Sequence, residues 1–221
     1  MADQITFPGR LIAVDGSRGK DVALAANAVA AELTRAGREC AISRWDASGL
    51  FAELAAGGRG DRSISVRTLS LVYAADLAFR LRWEIRPILE AGGVVIAAPY
   101  VETAVAFGVG CGLPEQWLRE LLRFAPAPKL HGRTQERKID RPWKRRADRG
   151  YAEYCALMLD AASSGLSKRE RRAMMAALDQ ARGRKPVTLT PKGVAALATA
   201  ISGTRTATPG SSASKPRSGR R

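Results

Sequence analysis

Apolar positions along the chain fall into two rhythms. Leu11–Val14 is a short unbroken apolar run, the pattern of a strand buried on both faces. Residues 21–36 instead repeat apolar side chains at Val22, Ala26, Val29 and Leu33, which predicts a helix ended by Gly37. Cys40–Ser43 predicts a second strand, so the opening reads as a strand–helix–strand unit with a right-handed crossover. Residues 47–56 predict a short helix, and GGRGDR at 57–62 a loop whose Arg-Gly-Asp is a chance match. Residues 64–90 predict one long helix or two consecutive ones, closed by Gly92-Gly93 before a third strand at Val94–Ala97. A further helix follows Leu113, with Pro114 near its first turn. Residues 150–163 and 167–182 predict helices, Val187–Leu189 a last strand and 191–202 a last helix. The stretch from Pro126 to Tyr151 contains no convincing strand, and no segment repeats another.

Charge changes this picture in the second half. The chain has 221 residues with 36 Lys+Arg against 21 Asp+Glu. Residues 1–128 carry 14 of each sign, whereas 129–221 carry 22 basic and 7 acidic residues, so the whole excess of +15 lies C-terminally. Such asymmetry points to an anionic partner: nucleotide phosphates, nucleic acid or an acidic protein. The tail from Gly203 is basic and poor in apolar residues, which predicts disorder. VVIAAPYVETAVAFGVG is interrupted by Pro99 and Glu102, so no membrane span is expected. The start, MADQITFPGR, lacks the pattern of a signal peptide. Cys40, Cys111 and Cys155 have no CxxC spacing, and a cytoplasmic protein with free thiols is expected. His131 is the single histidine, which excludes a histidine-rich metal site; within a basic stretch it is expected to be solvated.

The candidate chemistry sits between the first strand and helix. Gly16-Ser17-Arg18-Gly19-Lys20-Asp21 has the layout of a phosphate-binding loop, GxxxxGK[ST], shortened by two residues and with Asp21 in place of the hydroxyl. A shorter loop turns fewer backbone N–H groups on an anion. A carboxylate about 4 Å from a phosphate charge opposes it by roughly 4 kcal/mol at an effective dielectric of about 20. Mg²⁺ held by Asp21 would offset that repulsion. The helix N-terminus, Arg18 and Lys20 still favour an anion. The alternative is a glycine-rich turn with a purely backbone role.

Beyond the loop, the order of segments resembles thymidylate kinase, one of the P-loop nucleoside monophosphate kinases. The resemblance runs through LVYAADLAFRLRWEIRPILEAGGVVIAAPYVETAVAFGVGCGLPEQWLRELLRFAP at 71–126, and reappears in Gly150-Tyr151 and in PVTLTPKGVAALATAI. It implies a three-layer α/β P-loop domain over 1–202 with a mainly parallel sheet, ATP and Mg²⁺ as cofactors, and a homodimer. Residues 203–221 lie outside it. The family's functional positions are altered one by one. Its Arg-Glu-Pro is here Arg44-Trp45-Asp46. Its Ala-Ala-Asp-Arg is Ala74-Ala75-Asp76-Leu77, which keeps the acid, with Arg80 one turn further along to reach the same face. Its Asp-Arg-Tyr is Ala98-Pro99-Tyr100. In what the resemblance treats as a glycine-rich loop, Cys111 replaces an arginine and Phe107 replaces the tyrosine near the base. The arginine-bearing lid survives as Arg133, Arg137, Lys138 and Arg141 within the basic segment 129–149, and 163–185 reads as an added helical element.

These substitutions leave the glycine and apolar scaffold while removing charges that would stabilise phosphoryl transfer, a reaction catalysed by positioning and electrostatics. The expectation is a thymidylate-kinase-like protein that is non-catalytic or weakly active and binds a nucleotide or a partner. Two alternatives stand beside it. One is an active kinase in which Lys20 is the catalytic cation. The other is a basic protein that binds nucleic acid without sequence preference through 129–221, with Trp143 available for stacking.

Overall fold

The computed structural model describes residues 6–57, 65–134, 168–179 and 186–202. Five strands form one parallel sheet: β1 (Arg10–Asp15), β2 (Cys40–Arg44), β3 (Val94–Ala98), β4 (Leu130–Arg133) and β5 (Val187–Thr188), in the spatial order β2-β3-β1-β4-β5. The helices are α1 (Gly19–Arg35), α2 (Leu50–Gly57), α3 (Val66–Arg80), α4 (Arg86–Glu90), α5 (Val101–Gly110), α6 (Glu115–Leu121), α7 (Lys168–Asp179) and α8 (Pro191–Ser202). A π-turn at Leu81–Ile85 makes α3 and α4 one continuous rod.

Strand parity sorts the core into two halves. Ile12, Val14, Val94 and Ile96 face α1 and α8, where they meet Val22, Ala26, Val29, Leu33, Leu197 and Ile201. Leu11, Ala13, Val95 and Ala97 face α3, α5 and α6, where they meet Tyr73, Leu77, Val105 and Leu118. Three layers result, helices–sheet–helices, the P-loop type of α/β architecture. The amphipathic stripe of α1 is buried as its spacing predicts. Its end is set by Gly37 at φ +69°, with Arg38 N–H donating to the Leu33 carbonyl across a left-handed turn that glycine adopts readily.

Two expectations are corrected. The 126–151 stretch contains β4, which pairs with β1 in the register Ala13↔His131 and Asp15↔Arg133. Four residues, two of them charged or titratable, gave no apolar run, so the strand shows only through its neighbours. The apolar segment around Phe107 is a ten-residue helix, α5, rather than a loop. Glu102 through Gly108 are all buried, so the helix lacks a polar face and its sequence lacks helical periodicity. Gly108 admits the Leu118 side chain of α6, which a Cβ would meet at 2.5 Å. The outer side of α5 is covered by α7 through Ala106, Ala177 and Leu178.

The expected helix at 150–163, lid residues Arg137, Lys138 and Arg141, Trp143, the Arg-Gly-Asp and the tail fall outside the described residues. Neither Cys40 nor Cys111 is in a disulfide. Among the described residues no helix is long and apolar enough to cross a membrane.

Candidate nucleotide-binding crevice

In an open parallel sheet, ligands bind beyond the carboxyl ends of the strands where the winding reverses direction. Here that point lies between β1, whose chain crosses to β2, and β3, whose chain crosses to β4. The loop Gly16–Arg18 leaves β1 at this place and enters α1.

The group at the centre is Asp15, fully buried at the end of β1. Parity turns it to the α5 side, as it does Leu11 and Ala13. Its Oδ1 accepts from Tyr100 N–H at 2.8 Å, Thr103 N–H at 3.0 Å and Thr103 Oγ1 at 2.7 Å, so a carboxylate of β1 caps the N-terminus of α5. Its Oδ2 lies 2.9 Å from His131 Nε2. His131 is therefore not solvated: its side chain is only 10% exposed, because the β4 register places it beside Ala13 on the covered face. Burial alone would raise the carboxyl of Asp15, but the bond and charge of His131, with the Thr103 and Tyr100 donors, outweigh it and hold the group below its ordinary range. Burial likewise opposes charge on His131, yet the Asp15 bond and charge leave the imidazole above its usual value.

The loop is stitched to the same network. Gly16 N–H donates to Thr103 Oγ1 at 3.1 Å, and a Cβ on Gly16 would meet Thr134 Oγ1 at 2.0 Å, so only glycine fits against Thr134. The first loop N–H thus has a partner within the protein. Further along, Arg18 is the N-cap of α1 and no side chain caps that helix. Gly19 is buried and Lys20 exposed on the first turn. Asp21 is paired with Arg18 at 3.6 Å. The uncapped end of α1, with Arg18 and Lys20, suits a phosphate. Mg²⁺ fits less well: Asp21 already has a cationic partner, and no group of three or more metal-ligating side chains exists among the described residues.

The remaining candidates lie along the β2–β3 side and mostly hold the chain together. Arg80 is fully buried. Its Nε donates to Ser43 Oγ at 3.0 Å, one Nη to the Ser43 carbonyl at 2.8 Å, and both Nη atoms to the Pro99 carbonyl at 3.1 Å. Ser43 Oγ in turn donates to Glu84 of the π-turn at 2.6 Å. Asp76, also fully buried, accepts from Asp46 N–H, Ser48 N–H and Ser48 Oγ, at 3.1, 3.0 and 2.8 Å. Asp46 sits at φ +59° and accepts from Phe51 N–H and Ala52 N–H, which caps α2. Arg44 is exposed and donates to Asn27 of α1 at 2.8 Å. The Tyr100 ring is buried, its hydroxyl donating to the Pro126 carbonyl at 2.8 Å, while Tyr73 donates to the Tyr100 carbonyl at 2.6 Å. Phe107 is a core side chain at 4% exposure. Arg133 is half-buried at the end of β4, level with Asp15.

The structure thus gathers Gly16–Asp21, Tyr100 and Arg133 around the ends of β1, β3 and β4. Arg44, Asp76 and Arg80 sit at the end of β2, and Phe107 lies in the core. Sequence reasoning missed Asp15, Thr103, His131 and Thr134 as one cluster. The available signal was an acid ending a fully apolar strand immediately before the loop glycine.

No family model matches the chain. Stretches of it are similar to curated proteins: 39% identity over 67 residues to the probable thymidylate kinase of Pyrococcus abyssi, covering 30% of this chain and 33% of that one. The thymidylate kinase of Rhizorhabdus wittichii is 30% identical over 133 residues, 58% of this chain and 64% of that protein. Probable thymidylate kinase 2 of Saccharolobus solfataricus is 29% identical over 93 residues, 42% and 44% of the two chains. The matched part spans about a third of the first of these relatives and less than two thirds of each. Taken with the parallel sheet and the loop at the end of β1, these similarities make the chain a relative of the thymidylate kinases.

Proposed function

We propose that the chain is a nucleotide-binding protein of thymidylate kinase descent in which phosphoryl transfer is absent or weak. One observation carries the reading: the loop's first N–H is bound by Thr103 and the adjacent strand end holds a buried carboxylate, while α1 still offers an uncapped N-terminus beside Arg18 and Lys20. A site of this kind holds a phosphate by backbone donors and two surface cations. Among the described residues it lacks the dense positive field that phosphoryl transfer requires. ATP phosphates would rest on Gly16–Lys20, and Mg²⁺ would accompany the nucleotide rather than occupy a seat built by the protein. A cytoplasmic homodimer is part of the same proposal: the compartment rests on the cysteine pattern and the dimer on the family resemblance alone.

Thermal unfolding with ATP–Mg²⁺ and dTMP at millimolar concentration tests the binding. Ligand at about 100 times its dissociation constant stabilises the fold by about 2.7 kcal/mol. A shift with ATP and no turnover of dTMP above background is the expected result. Turnover that Lys20→Ala abolishes would make the chain an active kinase, and no shift with any nucleotide would remove the reading.

A second reading has its own observation. Arg169 and Arg172 are exposed on α7, within the basic half of the chain. Single-stranded DNA binding whose affinity falls steeply with salt would support a nucleic-acid partner for residues 129–221. No binding at low salt would exclude one.

A further inference from the structure

The most deeply buried charge at the crevice belongs to none of the expected motifs. Resting on the nucleotide-binding reading above, we infer that Asp15 sets which charge the crevice accepts and that His131 is its titratable counter-charge, so that a phosphate group enters readily when His131 is protonated and is repelled when it is neutral.

The geometry makes the coupling direct. Asp15 and Gly16 are neighbours in the chain, and Thr103 Oγ1 bonds both the Asp15 carboxylate and the Gly16 N–H. An anion on the uncapped first turn of α1 is therefore joined to a carboxylate shielded from water through the short loop and Thr103. Three of that carboxylate's donors are neutral, and among its bonded partners in the described residues the imidazole is the one that can carry a positive charge. Burial keeps the interaction strong, since salt and water screen it little.

The other charged and titratable groups facing the pair are few among the described residues. From α5 comes Glu102, held by Arg119 of α6 at 3.3 Å. From the end of β3 comes the hydroxyl of Tyr100, and from α3 the buried hydroxyl of Tyr73 with Arg80 behind it. On β4 itself, Arg133 lies level with Asp15. Burial pushes both tyrosines well above their ordinary range, so they remain neutral. His131 is the one histidine of the chain, so a titration near neutrality in this cluster belongs to it. Burial opposes charge on the ring, but the bond and charge of Asp15 outweigh it, so the imidazole keeps its proton above its usual range.

The test measures ATP binding to the full chain by calorimetry from about pH 6 to about pH 8.5. Parent, His131→Gln and Asp15→Asn proteins are compared at each pH. ATP titrates in the same range, so the readout is the difference between parent and His131→Gln, which keeps an N–H donor for Asp15 but cannot change charge. The expected result is an affinity in the parent that falls about tenfold more across this range than in His131→Gln, equivalent to about one pKa unit of linkage. Asp15→Asn should bind about tenfold tighter than the parent at the upper pH. Equal slopes in parent and His131→Gln would overturn the inference while leaving nucleotide binding intact. If Asp15→Asn fails to fold, that comparison decides alone. Binding by Asp15→Asn but not by the parent supports the inference, and no binding by either at any pH overturns the nucleotide reading and this one with it.

Discussion

Arg80→Met separates two roles for the most deeply buried cation of the described residues. If Arg80 served a ligand, its loss would weaken binding and leave the fold nearly untouched. The structure gives it a different task. One guanidinium joins the ends of β2 and β3 by bonding Ser43 Oγ, the Ser43 carbonyl and the Pro99 carbonyl, at 0% exposure. Methionine fills most of the volume, so the packing loss is small. The acceptors have no water to turn to, and each buried polar group left unpaired costs about 1–3 kcal/mol. Two carbonyls and a hydroxyl that retains Glu84 give an expected loss of about 3–5 kcal/mol. At about 2–4 °C per kcal/mol for a chain of this size, Tm falls by roughly 10 °C. Guanidinium unfolding followed by circular dichroism, with the slope held common, measures the change directly. Arg80→Lys keeps the charge but not the planar fork, and should fall between parent and methionine variant. A methionine variant within about 1 kcal/mol of the parent would refute the reasoning, because the strand ends would then have satisfied themselves without the guanidinium.

Asp46→Ala removes both acceptors at the start of α2 and leaves alanine in the left-handed region at φ +59°, so it should destabilise by about 1–2 kcal/mol. Asp46→Asn, which tolerates that backbone, should lose less in the same unfolding assay. The Asp15–His131 pair predicts a stability optimum on mildly acidic ground. The lowered Asp15 contributes above the ordinary carboxylate pKa of about 3.9 and loses that contribution as pH falls through its folded value. The raised His131 contributes fully below its ordinary pKa of about 6.5 and loses its contribution as pH rises through its higher folded value. Denaturant midpoints from pH 4 to pH 9 should therefore decline on the alkaline side in the parent and not in His131→Gln; a parent curve that rises there would contradict the pairing.

The parts of the fold visible in the sequence were those where one rhythm dominates. Leu11–Val14 and Val94–Ala97 are apolar because both sheet faces are covered, and α1 shows its stripe because its other side is wet. The parts that escaped are those where tertiary context replaces local pattern. β4 is four residues long, and its identity as a strand rests on pairing with β1 across more than a hundred residues. α5 is buried nearly all round, so nothing in VETAVAFGVG distinguishes it from a loop or a strand. At the site, Gly16–Asp21 was legible as a motif because its residues are contiguous. Asp15, Thr103, His131 and Thr134 were not, because they come from the ends of three separated segments and share only a spatial neighbourhood. His131 shows the effect most plainly: a basic local sequence suggested solvent, and strand register put the ring against a buried acid.

The same distinction bears on how such a fold outlives a change in its chemistry. The two core halves depend on strand parity and on helix stripes, neither of which requires a charge at the strand ends. The strand ends still need their polar groups satisfied, and here that need is met internally. Asp15 caps α5, Asp46 caps α2, Asp76 ties down the turn after β2, and Arg80 joins β2 to β3. Each of these groups accepts or donates bonds that a substrate phosphate or a metal ion would otherwise compete for. A charge committed to two or more internal bonds cannot turn to a ligand without leaving those partners bare. Stability and phosphate affinity therefore pull against each other at this end of the sheet. The exposed Lys20 and the uncapped first turn of α1, which hold nothing else in place among the described contacts, are where a ligand can still be gained at little expense to the fold.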